Sequence, residues 1–146
     1  MCDFIVRDFV NDDFDAVAAV WTDTGVGNAK RGDNLQVIER TLGHGGAFFV
    51  LCDCKSSKVI GTAWFTNDSR RLYLHHFAIL KDFQGNGLSH LLMQKCMDFV
   101  KQCGLQVKLE VHVDNEIARN LYQKYGFSRL GDYDVFIIRD VKSCSL

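Results

Sequence analysis

The apolar positions of this 146-residue chain recur with two periods, and the switches between them mark out its elements. Residues 5–10 form a short β-rich run. Asn11, Asp12 and Asp13 follow as a cluster suited to capping a helix, and Phe14, Val17, Ala18 and Trp21 then recur at spacings of three and four, which predicts a helix. Gly25, Gly27 and Gly32 break that pattern, so the segment to about Asp33 reads as loop. Residues 35–42 predict a second short helix, stopped by Gly43 and Gly45-Gly46. Residues 47–52 and 59–65 are apolar runs joined by Lys55-Ser56-Ser57-Lys58 and read as an antiparallel hairpin. Asn67-Asp68-Ser69 turns into a third strand at residues 72–79.

The period then changes to that of a helix, with Leu88, Leu92, Cys96, Phe99 and Cys103 along one face and Gly104 as its end. Residues 107–113 alternate, apolar Val107, Leu109, Val111 and Val113 against polar Lys108, Glu110 and His112, which predicts a half-buried strand. Asn115 is placed to cap a last helix over residues 116–125, closed by Gly126, and residues 127–129 and 134–141 read as two final strands. The order is β-α-α-β-β-β-α-β-α-β-β: one α/β layer of about seven strands with about four helices packed on it. With no linker, repeat or low-complexity stretch, residues 1–146 are expected to form a single domain.

Composition narrows the function. Apolar residues are 47% and charged residues 24%, a globular balance, and the net charge of −1 with no basic patch argues against a nucleic-acid partner. No apolar run approaches the roughly 20 residues of a membrane span, and the N-terminus lacks a signal-peptide pattern, so a cytoplasmic location is expected. Of the six cysteines, Cys52, Cys54, Cys96 and Cys103 lie in apolar stretches and read as free thiols, whereas Cys2 and Cys144 lie near the termini. Cys52-Asp53-Cys54 has no second pair to complete a zinc site, and no metal is expected.

The segment richest in chemistry is 77–89, where a strand enters a glycine loop that opens directly into a helix. Gly85 and Gly87 let the backbone approach a ligand closely, and the first amides of the helix lack intrahelical partners. Such a unit binds phosphate. It is neither a P-loop, since no Gly-Lys-Ser/Thr follows, nor the three-glycine dinucleotide motif.

Two motifs then carry a resemblance. Gln84-x-x-Gly87-x-Ser89 is similar to the Gln/Arg-x-x-Gly-x-Gly/Ala motif of the GNAT acyltransferase superfamily. Asn115-x-x-Ala118-x-x-Leu121-Tyr122-x-x-x-Gly126-Phe127 resembles that family's second signature. Order and separation fit, as does the element order over nearly the whole chain. Ser89, where the family has Gly or Ala, is a small departure. The resemblance implies the GNAT fold, with a mixed, mostly antiparallel sheet. It also implies an N-acetyltransferase that uses acetyl-CoA as cosubstrate and a primary amine as acceptor. Dimers are common in such proteins.

Carried over by position, the resemblance implies that backbone amides of Gly85, Asn86, Gly87, Leu88 and Ser89 wrap the coenzyme's pyrophosphate, with Gln84 opening the motif. Main-chain groups of Phe77, Ala78 and Ile79 would pair with the pantetheine arm where the strand splays from its neighbour, in such proteins often at a β-bulge. Asn115 would touch the pantetheine or cap its helix, and both roles are compatible. Tyr122 would protonate the departing thiolate as general acid, with Tyr125 a packing residue. The base is open: His75 is the first choice, then His76, on the premise that strand alternation turns only one of them to a given face. Water-mediated transfer is an alternative, and Glu110 and His112 are weaker candidates. Tyr73 shares His75's side of the strand. The acceptor pocket is expected from the first helix to Asp33 and from the segment near Gly131, with Asp23, Asp33, Asp132 and Asp134 available to attract a cation. A CoA-binding protein without catalysis is the main competing reading. A longer acyl chain is disfavoured by the lack of basic residues near the thioester end.

Overall fold

The computed structural model describes residues 3–143; Cys2 and Cys144 lie outside them. These residues divide into two compact units that part between His112 and Val113.

The first unit is built on a five-stranded sheet in the order β1-β2-β3-β4-β5: β1 Phe4–Asp8, β2 Ala47–Asp53, β3 Lys58–Asn67, β4 Arg71–Ile79 and β5 Gln106–Leu109. The first four strands are antiparallel and β5 joins β4 in parallel, so the connection between them is a crossover carrying a helix. That helix is α3, Leu88–Cys103. The helices α1, Phe14–Thr24, and α2, Leu35–Gly43, precede β2.

Strand alternation distributes the core to two faces. Phe48 on β2 and Trp64 on β3 meet Trp21 of α1, with ring centroids 6.0 Å apart in each case, and Ile38 of α2 is wholly buried in the same cluster. Phe49 and Phe65 turn to the other face and meet Phe99 of α3 at 5.9 and 5.1 Å. Both faces of β2 and β3 are therefore covered, which is why these strands read as continuous apolar runs. Arg7 on β1 clamps the turn before α1 with two hydrogen bonds, 2.8 and 2.9 Å, to the Asp13 carboxylate. This pair holds the Asp13 carboxyl below the usual carboxylate range.

The second unit holds α4, Glu116–Lys124. The two final strands expected at residues 127–129 and 134–141 are absent among the described residues, and β5 ends at Leu109 rather than near Val113. Val135, Phe136, Ile137 and Ile138 have the composition of a strand, but Phe136 is 91% exposed and no other strand pairs with this run. β-propensity without a ladder partner does not make a strand.

Candidate active site

The site in the first unit begins with an irregularity between β3 and β4. Thr62 pairs with Ala78 and Trp64 with His75, so Ala63 alone faces both His76 and Phe77. This is a β-bulge, one extra residue on β4. His76 takes φ = 48°, a left-handed conformation that costs a non-glycine residue about 1 kcal/mol or more and is kept only where the surroundings impose it.

The surroundings are specific. Thr62, fully buried on β3, donates its hydroxyl to the His76 carbonyl at 2.7 Å and accepts from Trp21 Nε1 at 3.0 Å. His76 Nε2 bonds Asp33 Oδ1 at 2.7 Å, and the second Asp33 oxygen accepts the Asn28 amide at 2.6 Å, clasping the loop before α2. Replacing Thr62 by valine keeps the volume but strips both partners. The expected result is a loss of roughly 2 kcal/mol in urea-unfolding stability, since an orphaned buried polar group costs about 1–3 kcal/mol.

The bulge corrects one premise of the sequence reading. An extra residue breaks the two-residue alternation, so His75 and His76 lie on the same face, ring centroids 6.4 Å apart, each beside Trp64 at 5.9 and 5.7 Å. Tyr73 stacks on His75 at 6.1 Å, and the Lys108 ammonium lies over the Tyr73 ring. His75 Nε2 shares a 2.8 Å hydrogen bond with the Thr66 hydroxyl. Burial, and then the adjacent His76, lower the His75 pKa below its ordinary value, with Asp33 opposing them weakly.

The unfolded chain binds a proton at His75 at pH values where the folded chain does not. Stability therefore falls as pH drops through the ordinary histidine range near 6.5. Urea unfolding compared at about pH 7.5 and pH 5.5 is expected to show this decline, and His75→Gln to reduce it.

Beyond His75 the strand behaves differently on its two edges. The parallel ladder to β5 ends at Leu74 and Leu109, while β4 continues to Ile79 against β3. β4 and β5 thus part company at the residue where the two histidines begin, and Phe77, Ala78 and Ile79 follow in the parted stretch. The strand then enters a short 3₁₀ turn, Lys81–Phe83, whose Lys81 amide is held by Asp23 Oδ2 at 2.8 Å. Gln84 Nε2 reaches back to the Ile79 carbonyl at 2.8 Å, and Asn86 Nδ2 bonds the Phe83 carbonyl at 3.2 Å. Both side chains therefore brace the loop.

Gly85 and Gly87 take φ = 81° and 74°, and a Cβ at either would meet nothing within 4 Å. Gly87 is the N-cap of α3 with no side-chain cap, and no acidic residue occupies the first turn. Leu88 is buried and anchors the helix, while Ser89 is half-buried one residue on. Bare amides, an open glycine backbone and the positive end of a 16-residue helix suit an anionic group.

In the second unit, Asn115 caps α4, its side chain accepting the Ala118 amide at 3.2 Å. Tyr122 is buried, its ring edge-on to Phe127 at 5.7 Å.

A cavity of about 390 Å³ is lined by Val37, Arg40, Thr41, His44, Thr66 and Asn67. Thr66 connects it to His75. The acids expected to draw a cationic acceptor are engaged elsewhere or exposed. Asp23 holds the β4–α3 turn, Asp33 holds His76, and Asp132 and Asp134 are exposed in the second unit. Sequence reasoning missed Arg40, His44, Thr62 and the Asp33–His76 pair. Among the described residues no group of three or more His, Cys, Asp or Glu side chains is placed to hold a metal ion, and no helix is long and apolar enough to cross a membrane.

Residues 10–127 match the model of the acetyltransferase (GNAT) family. Over 60 residues the chain is 40% identical to N-alpha-acetyltransferase 30 of Schizosaccharomyces pombe, a match covering 40% of each protein. Over 58 residues it is 36% identical to N-alpha-acetyltransferase RimI of Mycobacterium tuberculosis, covering 40% of this chain and 35% of that one. The matches thus span well under half the length of these curated relatives. Among solved structures, an acetyltransferase from Streptococcus agalactiae superposes with a TM-score of 0.77 at 16% identity, over 97% of this chain and 94% of that one. A GNAT acetyltransferase from Elizabethkingia anophelis with acetyl-CoA bound gives 0.63 at 15% identity, over 88% and 78%. At such identities the superpositions show the fold.

Proposed function

Because the chain belongs to the acetyltransferase (GNAT) family, we propose that it moves the acetyl group of acetyl-CoA onto a primary amine by direct attack of the amine nitrogen on the thioester carbon. The observation that carries this reading is the strand–loop–helix unit of the first unit. β4 leaves the β5 ladder at Leu74 and runs on into a loop whose two left-handed glycines expose the first amides of α3. The loop of Gly85, Asn86, Gly87, Leu88 and Ser89 suits the coenzyme's diphosphate. The parted stretch of Phe77, Ala78 and Ile79 suits a pantetheine arm laid along it as an added strand, which sets the thioester at the histidine end of β4.

Two proton transfers complete the reaction. An alkyl amine has a pKa near ~10.4 and arrives protonated, so a group on the protein side must take a proton before the nitrogen lone pair can attack. The C–S bond then breaks, and the thiolate, with a pKa near ~8.5, takes a proton from a general acid. We assign that acid role to Tyr122, on the match of the 115–127 motif and on the chemistry of a phenol. Asn115 caps α4 and so fixes the helix that carries Tyr122. The names of the two relatives, both N-alpha-acetyltransferases, point to an α-amine as acceptor, and the cavity beside Thr66 is the entrance we favour for it.

Calorimetry with acetyl-CoA and with CoA, followed by CoA-release assays on peptide α-amines, lysine ε-amines and small amines, tests the reading. Binding with turnover on at least one amine supports it. Binding with turnover on none identifies a CoA-binding interaction protein instead. Absence of binding overturns it.

A further inference from the structure

Resting on the acyl-transfer reading above, we propose that His76, oriented by Asp33, is the group that takes the proton from the attacking amine. The sequence ordering put His75 first. The geometry reverses that order for three reasons.

The first is position. His76 is the second residue past the last β4–β5 pair and directly precedes Phe77, so it stands where the parted stretch begins. The bulge and the left-handed backbone bring its imidazole onto the face already occupied by His75, which a regular strand would forbid. A strained residue pinned by Thr62 at its carbonyl and by Asp33 at its ring is an arrangement the fold maintains against its own backbone preference.

The second is the partner. Asp33 accepts from Nε2, which fixes the ring proton there and leaves Nδ1 as the basic atom of the neutral imidazole. Nδ1 has no hydrogen-bond partner among the described residues. When it takes a proton, the carboxylate 2.7 Å from Nε2 balances the new charge. The His76 and Asp33 side chains are 20% and 14% exposed, reachable by a substrate yet shielded enough for the pair to act on each other. Asp33 is thus a positioning residue, and its other oxygen is committed to the Asn28 amide.

The third is the state of the competitor. His75 has no carboxylate partner, is hydrogen-bonded to the Thr66 hydroxyl, and is made less basic by its burial. The remaining charged groups around the pair do not replace Asp33. On β4 there is Tyr73, with Lys108 over its ring; Arg40 of α2 and His44, just past its end, line the cavity that Thr66 also lines; at the end of α1, Asp23 is bound to the Lys81 amide. From β3, Thr62, Trp64 and Thr66 pack around the pair, and none of them carries a charge.

In the step itself, the substrate ammonium passes a proton to His76 Nδ1 and its lone pair forms the new C–N bond. The C–S bond breaks, its electron pair leaves on sulfur, and the thiolate is protonated by the general acid. The imidazolium returns its proton to solvent.

His76→Gly is the informative variant, because glycine accepts φ = 48° freely and removes only the imidazole. With the amine substrate found for the parent protein, kcat is expected to fall roughly thirtyfold, short of the usual ~10²-fold because water takes over part of the transfer. Acetyl-CoA affinity by calorimetry is expected to stay unchanged, and added imidazole to restore turnover about tenfold. Asp33→Asn is expected to lower kcat about tenfold with the same unchanged affinity. Should His76→Gly prove unfolded by circular dichroism, His76→Asn, which also tolerates a left-handed backbone, takes its place. Turnover within threefold of the parent, or lost turnover that imidazole does not restore, overturns the assignment of His76 and leaves acyl transfer standing. Failure of the unmodified protein to bind acetyl-CoA overturns the acyl-transfer reading itself.

Discussion

Replacing Tyr122 with phenylalanine is expected to lower kcat by two to three orders of magnitude while leaving the affinity for acetyl-CoA unchanged. The substitution removes one oxygen and keeps the ring that packs edge-on to Phe127 at 5.7 Å, and the Asn115 cap of α4 is untouched. The loss falls on the step in which sulfur departs, because a thiolate expelled without a proton is a poorer leaving group than a thiol. A second measurement isolates that step. An acetyl thioester of an aryl thiol, whose thiolate is far more stable, needs little help from an acid. The ratio of parent to variant rates should therefore shrink with that donor. A kcat within threefold of the parent on acetyl-CoA would remove Tyr122 from the chemistry and leave it as a packing residue of α4.

The sequence carried much of this architecture because its strongest signals are local. The three- and four-residue spacing through Trp21 and through Leu92, Cys96 and Phe99 marks α1 and α3, and Gly104 ends the latter in the left-handed conformation. Asn115, placed by the sequence to cap α4, does so through its side chain, and the structure adds Asn34 as the cap of α2. The glycine loop was legible for the same reason, since Gly85 and Gly87 must take positive φ for the strand to turn into the helix.

What could not be read depends on partners distant in the chain. The resemblance implied a bulge near the splay, but the residues His75-His76-Phe77 do not themselves place it: the extra residue exists only relative to Ala63 on the facing strand, and no glycine marks it. The Asp33–His76 pair joins residues 43 apart, and the Thr62–Trp21 bond residues 41 apart. Val135, Phe136, Ile137 and Ile138 failed in the opposite sense. Their side chains suit a strand, but a strand is completed by a neighbour, and among the described residues none pairs with them. The glycine loop was thus written in local sequence, whereas the pairing of His76 with Asp33 is a product of the sheet's register.

Substituting valine for Gly87 should weaken acetyl-CoA binding about a hundredfold, equivalent to about 2.7 kcal/mol. Two causes act together. At φ = 74° a β-branched residue is strained, so the loop is pushed away from the conformation that exposes the α3 amides. The new side chain also grows into space that the protein leaves empty, and on the present reading that space belongs to the diphosphate. The difficulty is that backbone strain alone destabilises the fold and can mimic a binding defect. Gly104 separates the two. It lies at the other end of the same helix with φ = 65°, and a Cβ there likewise meets nothing within 4 Å. Gly104→Val should therefore lose a similar 1–2 kcal/mol of unfolding stability and bind acetyl-CoA as the parent does. If the two variants lose affinity equally, the effect of Gly87 is one of stability, and the amides at the start of α3 do not hold the coenzyme. If only Gly87→Val loses it, the diphosphate sits on that loop, and the thioester is placed at the histidine end of β4.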